Sequence, residues 1–426
     1  MTDCFAVHVG IDWGSDHHDV CIADADGQPL ATLTIEHSSS GIAHLLDTLA
    51  TYSLGEFDHI RVAIETPRGP VVEALVERGC QVFACNPRQL DRFRDRYTMA
   101  GKKDDPFDAR ILSDLVRTDR HLLRQVRLDD PLIIELRELE RLSSALGQDL
   151  TRQTNRLRDQ LYRVLPQLLT ISPGADEAWV WDLLELASTP ERLARLRTTS
   201  IAGVLKRHRI RRITADELKA ALTAPRLQVA AGVVEAASAH MRAVLPICRV
   251  LLEQRRTCER RVEELLEQLK GPHAQTEGQH RDAAIIDSLP GVGRVVLAAM
   301  LAEASQAIAE RDQGRLRAEM GVAPVTRRSG KSMVHTMRYA CNRRLKHAAY
   351  WWGMAAIVKD PLSRARYRAA RARGHRHGRA IRCVVESLIR VMMGMLRDGT
   401  RYDAERRGAQ RQPRRDSGGS PVQIPA

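Results

Sequence analysis

Four carboxylates in the first quarter of this 426-residue chain have the type and spacing to gather on one cation. Asp12 ends the apolar run Val7-His8-Val9-Gly10-Ile11, and Glu65 ends a second, Val62-Ala63-Ile64. Asp105 and Asp108 lie three apart in Lys103-Asp104-Asp105-Pro106-Phe107-Asp108-Ala109-Arg110, just before an apolar helical pattern, so they share a helix face. Carboxylates at the ends of adjacent strands, joined by two from a helix, suit Mg²⁺ (or Mn²⁺) held against a phosphate. Singly, each acid has a plainer use: Asp12 capping a turn, Glu65 in a surface pair, Asp105 and Asp108 at a helix start. All four in this order favour a joint site. Asp104 competes with Asp105, and only the spacing to Asp108 separates them. His17 and His18 follow Asp12 closely, although exposed loop histidines are the commoner outcome.

A second constellation is Gly321-Val322-Ala323-Pro324-Val325-Thr326-Arg327-Arg328-Ser329-Gly330-Lys331-Ser332. Ser329, between Arg328 and Lys331 and next to a glycine, is placed to approach a phosphate. A serine hydroxyl is a weak nucleophile until a base or metal activates it and positive charge steadies the transferring group. The plainer reading is a basic loop, with Arg327, Arg328 and Lys331 on a nucleic-acid backbone and Ser329 hydrogen-bonding it. Ser332 is a rival nucleophile. Upstream, Leu289-Pro290-Gly291-Val292-Gly293 precedes an apolar helical run. Gly291 and Gly293 around such a turn present backbone amides to a phosphate, as in a helix-hairpin-helix element; similar turns also simply connect helices.

The charge balance agrees with a polyanionic partner. Lys and Arg number 66 against 53 Asp and Glu, a net +13. Residues 315–415 hold 26 basic and 6 acidic residues, a surplus of +20 that leaves −7 for the remainder. The eight cysteines form no Cys-x-x-Cys pair, which fits reduced thiols in a cytoplasmic protein, with Cys80 and Cys85 as small buried hydrophobes. No apolar run approaches the ~18 residues of a membrane span, and no signal core opens the chain, so a soluble intracellular protein without a membrane partner is expected.

Elements to position these residues follow from periodicity. Strands are expected at 5–12, 19–24, 30–36, 60–65 and 81–85, with helices at 41–50 and 70–78, giving a mixed α/β sheet. The turn 13–18 joins the first two strands. From Leu132 to Leu168, leucines recur at spacings of three and four, a long helix with a coiled-coil-like seam. A second spans about 229–269. The two make either an antiparallel hairpin arm or a dimer seam, and 176–225 between them is helical in composition. Residues 361–397 are basic, then amphipathic and helical. Trp351-Trp352 could stack on bases, although core packing is the commoner use.

The series Val-Gly-Ile-Asp-Trp-Gly (9–14), Ala-Ile-Glu-Thr-Pro (63–67), Lys-Asp-Asp-Pro-Phe-Asp-Ala (103–109), Leu-Pro-Gly-Val-Gly (289–293) and Gly-Val-Ala-Pro…Arg-Ser-Gly-Lys (321–331) resembles the DEDD insertion-sequence transposases. The resemblance runs from about Val7 to Asp403. It implies an α/β RuvC/RNase H-like domain over 1–125, a helical coiled-coil-like arm over 126–280, and a mainly α-helical C-terminal transposase domain over 281–403. A disordered basic tail is expected over 404–426. The resemblance assigns Asp12, Glu65, Asp105 and Asp108 to a Mg²⁺ (or Mn²⁺) site and Ser329 to a nucleophile forming a covalent phosphoserine link to DNA. It further implies DNA partners at the element ends and target, a bridge RNA guide, and a homodimer or homotetramer whose composite site draws on two subunits. The expected location is cytoplasmic, on the bacterial nucleoid when bound to DNA. Two other functions stay open on the residues: a water-using, structure-selective RuvC-like nuclease, and a non-catalytic nucleic-acid-binding remnant.

Overall fold

The computed structural model describes residues 7–97, 104–225, 227–230, 232–271, 279–330 and 332–409. The chain divides into two compact units, Met1–Asp129 and Asp130–Ala426.

The first unit is a mixed sheet between two helical layers. Its strands are β1 (Val7–Trp13), β2 (His17–Ala23), β3 (Pro29–Glu36), β4 (Ile60–Ile64), β5 (Gln81–Ala84) and the short β6 (Arg124–Gln125), in the order β3-β2-β1-β4-β5-β6. The β1–β2, β2–β3 and β5–β6 pairs are antiparallel; β1–β4 and β4–β5 are parallel. The helices are α1 (Ser39–Ser53), α2 (Pro70–Glu77), α3 (Pro87–Arg94) and α4 (Asp105–Thr118).

Side-chain alternation along each strand divides the core. Val9, Ile11, Val62 and Ile64 pack with Leu45, Leu49 and Leu75 from α1 and α2. Ala63 and Phe83 face the other way, onto Leu90, Phe93, Ile111 and Leu112 of α3 and α4. Each expected strand is present, but β2 starts at His17, so the first turn is only Gly14–Asp16. The expectation of exposed loop histidines is therefore corrected: both lie on β2, and His18 is fully buried.

The second unit is helical. Helix α5 (Pro131–Val164) is followed by α6 (Pro166–Ile171), α7 (Ala178–Leu186), α8 (Pro190–Ala194), α9 (Thr198–Arg207) and α10 (Ala215–Thr223), then by the long α11 (Val233–Lys270). Helices α5 and α11 pack antiparallel: Arg261 holds Glu135 through two bonds of 2.7 and 3.1 Å, while Gly147 lies beside Arg255. The intramolecular hairpin is thus present. One end of it shares a core with α6–α10 around Trp179 and Trp181. At the other end, Ile133, Leu136, Leu265 and Leu269 join a core with α12 (Gln279–Asp287), α13 (Arg294–Ala309), α14 (Gln313–Glu319), α15 (Arg343–Lys359), α16 (Pro361–Ala372) and α17 (His377–Asp398). A hairpin of β7 (Val325–Ser329) and β8 (Ser332–Thr336) precedes α15.

Helix α18 (Ala404–Ala409) corrects the expected disorder for its six residues: its Arg407 is buried and donates to Asp360 at 2.7 Å. Residues 410–426 lie outside the described residues. Among the described residues, no helix is long and apolar enough to cross a membrane.

Candidate active site

The parity of strand residues sets the acid site. Gly10 is on the face of β1 that meets α4, and two residues on Asp12 takes the same face at the strand's end. Likewise Ala63 faces α3 and α4, and Glu65 follows two residues later, just past β4. Parallel pairing of β1 with β4, Ile11 opposite Ile64, brings these two strand ends side by side. Gly10 permits the close approach of α4: a Cβ there would lie 1.9 Å from the Ala109 carbonyl oxygen and 2.3 Å from the Ser113 amide nitrogen. The Ser113 hydroxyl, buried, donates to the His8 carbonyl at 3.0 Å and fixes the crossing. The first turn of α4 then brings Asp105 and Asp108 to the strand ends.

All four expected acids line one cavity of about 450 Å³. The two acids of the Asp104–Asp105 doublet have different settings. Asp104 is the N-cap of α4, its carboxylate accepting the Phe107 amide at 2.8 Å, whereas Asp105 lines the cavity. Asp105 is exposed and Asp12 half-buried, while Asp108 is only 2% exposed.

Three further charged residues share the cavity wall: Asp19, Asp91 and Arg94. Asp19 stands opposite Asp12 in the β1–β2 register and accepts the Thr34 hydroxyl at 2.6 Å. Arg94 ends α3, whose first turn carries an Asn86–Gln89 capping box. Its guanidinium clamps Asp108 with two bonds of 2.9 and 2.7 Å and reaches Asp91 at 2.9 Å. Asp19 had a signal in the sequence, its place across a short turn from Asp12. Arg94 had none, because tertiary packing alone brings α3 beside α4.

Burial and crowded negative charge both act on Asp12. Burial first, then Asp108, Asp105, Glu65 and Asp19, push its carboxyl up to about 6. His18 is off the cavity wall. The Gly14 amide donates to its Nδ1 at 3.3 Å, which leaves the Nε2 proton for His37 Nδ1 at 2.8 Å. Burial, then His37 and His17, hold His18 below the usual histidine range. His17 lines the cavity.

The donor set suits a hard divalent cation: mostly carboxylate oxygens, already repelling one another, with His17 as the one nitrogen donor on the wall and Arg94 as counter-charge. Among the described residues, no three His, Cys, Asp or Glu side chains are drawn together tightly enough to hold an ion as they stand. Both oxygens of Asp108 accept from Arg94, so a cation at Asp108 competes with the guanidinium for them.

Ser329 has a different setting. The expected basic loop is the β7–β8 ribbon, with Ser329 opposite Ser332 as its last pair and Gly330 in the turn at φ +55°. A glycine at positive φ opening a two-residue loop is a hairpin signal that the sequence carried. Arg327, Arg328, Ser329 and Ser332 are all exposed, and Lys331 lies outside the described residues. Gly291 and Gly293 form the turn between α12 and α13. Gly291 is buried at φ +83°, where a Cβ would come within 2.5 Å of the Ala356 amide of α15; Gly293 is the exposed N-cap of α13.

An α/β domain presenting clustered carboxylates, joined in one chain to a basic helical domain, is the build of an enzyme that works on a polyanionic phosphate backbone. Comparison with known proteins makes this specific. Residues 9–166 match a transposase family of the DEDD, IS110 type, and residues 283–368 match the transposase IS116/IS110/IS902 family. The "Mini-circle putative transposase for IS117" of Streptomyces coelicolor is 30% identical over 411 residues, 95% of this chain and 97% of that one. The "Putative transposase y4uE" of Sinorhizobium fredii is 45% identical over 216 residues, 50% of this chain and 60% of the relative. The "Insertion element IS110 uncharacterized 43.6 kDa protein" of S. coelicolor is 28% identical over 414 residues, 95% and 97% of the two chains. The chain belongs to the IS116/IS110/IS902 family of insertion-sequence transposases.

Proposed function

We propose that this transposase cuts and exchanges DNA strands through a serine–DNA covalent intermediate, with Asp12, Glu65, Asp105 and Asp108 holding Mg²⁺ or Mn²⁺. One observation carries the reading: four acids from β1, the end of β4 and the first turn of α4 line the same cavity. The strand order, antiparallel across β3-β2-β1 and parallel across β1-β4-β5, supports a RuvC/RNase H-like assignment for this domain.

The bound cation would lower the pKa of a coordinated hydroxyl and neutralise charge on the phosphate. In the covalent step, Ser329 Oγ attacks the phosphorus of a phosphodiester. The Oγ–P bond forms, the bond to one deoxyribose oxygen breaks, the serine proton passes to a carboxylate or water, and the departing oxygen takes up a proton. Arg327, Arg328 and Lys331 steady the phosphate charge. The amide at Gly293, exposed at the start of α13, is a second backbone contact, as in a helix-hairpin-helix element; Gly291, buried against α15, shapes the turn and does not reach a phosphate. Exposure of Ser329 on a ribbon supports a composite site in a homodimer or homotetramer, in which the serine of one subunit serves the acids of another. A bridge RNA guide belongs to this reading through the family resemblance alone.

The test is strand cleavage on element-end DNA with its flanking RNA. Asp12→Asn and Glu65→Gln are expected to abolish cleavage in both Mg²⁺ and Mn²⁺ at unchanged DNA affinity. Retained cleavage in either variant sinks the metal assignment. Cleavage that survives Ser329→Ala and Ser332→Ala selects the water-using nuclease instead.

A further inference from the structure

Three helices of the second unit share a run of rings that the catalytic reading leaves unused. His347, Trp351 and Tyr350 on α15, His377 at the start of α17 and Tyr367 on α16 form a continuous edge-to-face chain. Successive centroids are 6.1, 5.6, 6.2 and 5.8 Å apart, with interplanar angles of 77–81°. Hydrogen bonds fix the order. Trp351 Nε1 donates to His347 Nε2 at 2.9 Å, and His377 is held at both ring nitrogens by the hydroxyls of Tyr350 and Tyr367, at 3.3 and 2.8 Å.

The two adjacent tryptophans part ways. Trp352 is fully buried and donates its N–H to the Pro290 carbonyl at 3.1 Å, so it builds the core. Trp351 is 52% exposed and Tyr350 39%. Ordered aromatic rings left in water have little to contribute to the fold, whereas they offer π-faces to a ligand. The electrical setting selects that ligand. Residues 343–385 contain twelve Lys and Arg and a single acid, Asp360, which is buried against Arg407. From outside this stretch Glu303 approaches Arg344 at 3.8 Å. Rings within such a positive field suit a polyanion with exposed bases: phosphates meet the cations and bases stack on the rings. Duplex DNA offers the phosphates, but its base faces are already stacked.

We propose that this ring platform binds single-stranded DNA, stacking bases on Trp351 and Tyr350. The inference rests on the transposase assignment, since strand exchange exposes unpaired DNA, and is independent of the metal and serine roles. Its test uses the full chain in EDTA, where no cleavage intervenes. Fluorescence anisotropy would compare labelled oligothymidylate, the matching duplex and oligouridylate.

Trp351→Ala is expected to weaken oligothymidylate binding on the order of tenfold, Trp351→Phe to keep most of it, and the duplex to change by less than about twofold. Quenching of tryptophan fluorescence by oligothymidylate, present in the wild type and lost in Trp351→Phe, reads the same contact without relying on the alanine variant's fold. Unchanged oligothymidylate affinity in both Trp351→Ala and Tyr350→Ala would overturn the proposal. So would an equal loss on duplex, which marks a general charge or folding effect, or a loss confined to oligouridylate, which marks an RNA surface.

Discussion

Asp12, Glu65 and Asp108 stand on or beside elements whose neighbouring residues fill the two cores flanking the sheet, Val9, Ile11, Val62 and Ile64 in one and Leu112 in the other. Ser329, by contrast, ends β7, and every residue of β7 and β8 but the half-buried Val325 is exposed, Met333 and Val334 by 60% and 50%. Crowding carboxylates is electrostatically unfavourable, so the acid site needs a rigid frame that offsets the repulsion with buried apolar area. A lone hairpin is marginal in water and takes its final form from whatever packs on it. The fold of the first unit therefore brings the acids to one cavity, while Ser329 stands on an exposed ribbon, which on the proposed reading substrate or another subunit completes.

That contrast is breakable, most severely at Arg94. Arg94→Gln leaves the buried Asp108 carboxylate without its guanidinium, and about 3–5 kcal/mol of stability in the first unit should go. Urea unfolding followed by circular dichroism measures it, and Mn²⁺ should restore part by supplying a replacement cation. A loss below about 1 kcal/mol would mean that the pair is not holding the site.

Next comes Gly10→Ala. A methyl group aimed at the Ala109 carbonyl at 1.9 Å must push α4 off β1, costing about 1–3 kcal/mol or more, with Mn²⁺ affinity falling as the acids separate. Unaltered Mn²⁺ titrations would show that the crossing does not place the acids.

Asp12→Asn gives a smaller effect of opposite sign. The folded pKa of about 6 lies above the ordinary 3.8. The stability tied to the protonated carboxyl is thus fully present below pH 3.8 and is lost as pH rises through 6. The asparagine variant should be more stable than wild type by about 1–3 kcal/mol near neutral pH, with the gap closing in acid. In the wild type, Mn²⁺ should bind more weakly as pH falls through about 6. A gap that widens in acid would reverse the assignment.

On the ribbon, Arg328→Ala should alter stability by no more than about 0.5 kcal/mol. Its effect belongs in DNA binding, where the slope of log affinity against log salt should drop by about 1. A large loss of stability would show that the ribbon is part of the core after all.

The same contrast explains what was legible in the sequence. The acids could be read because strand ends and an i, i+3 pair leave local patterns, and Gly10 and Ala63 share their parity with Asp12 and Glu65. The choice between Asp104 and Asp105 was hidden, since the capping role of Asp104 depends on its extended backbone and the Phe107 amide. Arg94 and Asp91 were hidden because α3 meets α4 only through tertiary packing. The serine segment reads as a basic loop, because a ribbon without a buried face lacks apolar alternation; only the turn glycine hints at pairing. The double tryptophan could not be divided in advance, since which one enters the core is decided by helix rotation.

The most direct measurement is peptide mapping of a trapped protein–DNA adduct. The full chain is incubated with element-end DNA and its flanking RNA in Mg²⁺, denatured, digested and sequenced by mass spectrometry. The predicted result is DNA attached at Ser329, absent in Ser329→Ala and in Asp12→Asn, and retained in Ser332→Ala. Strand cleavage without an adduct, or an adduct at Ser332, would contradict the account.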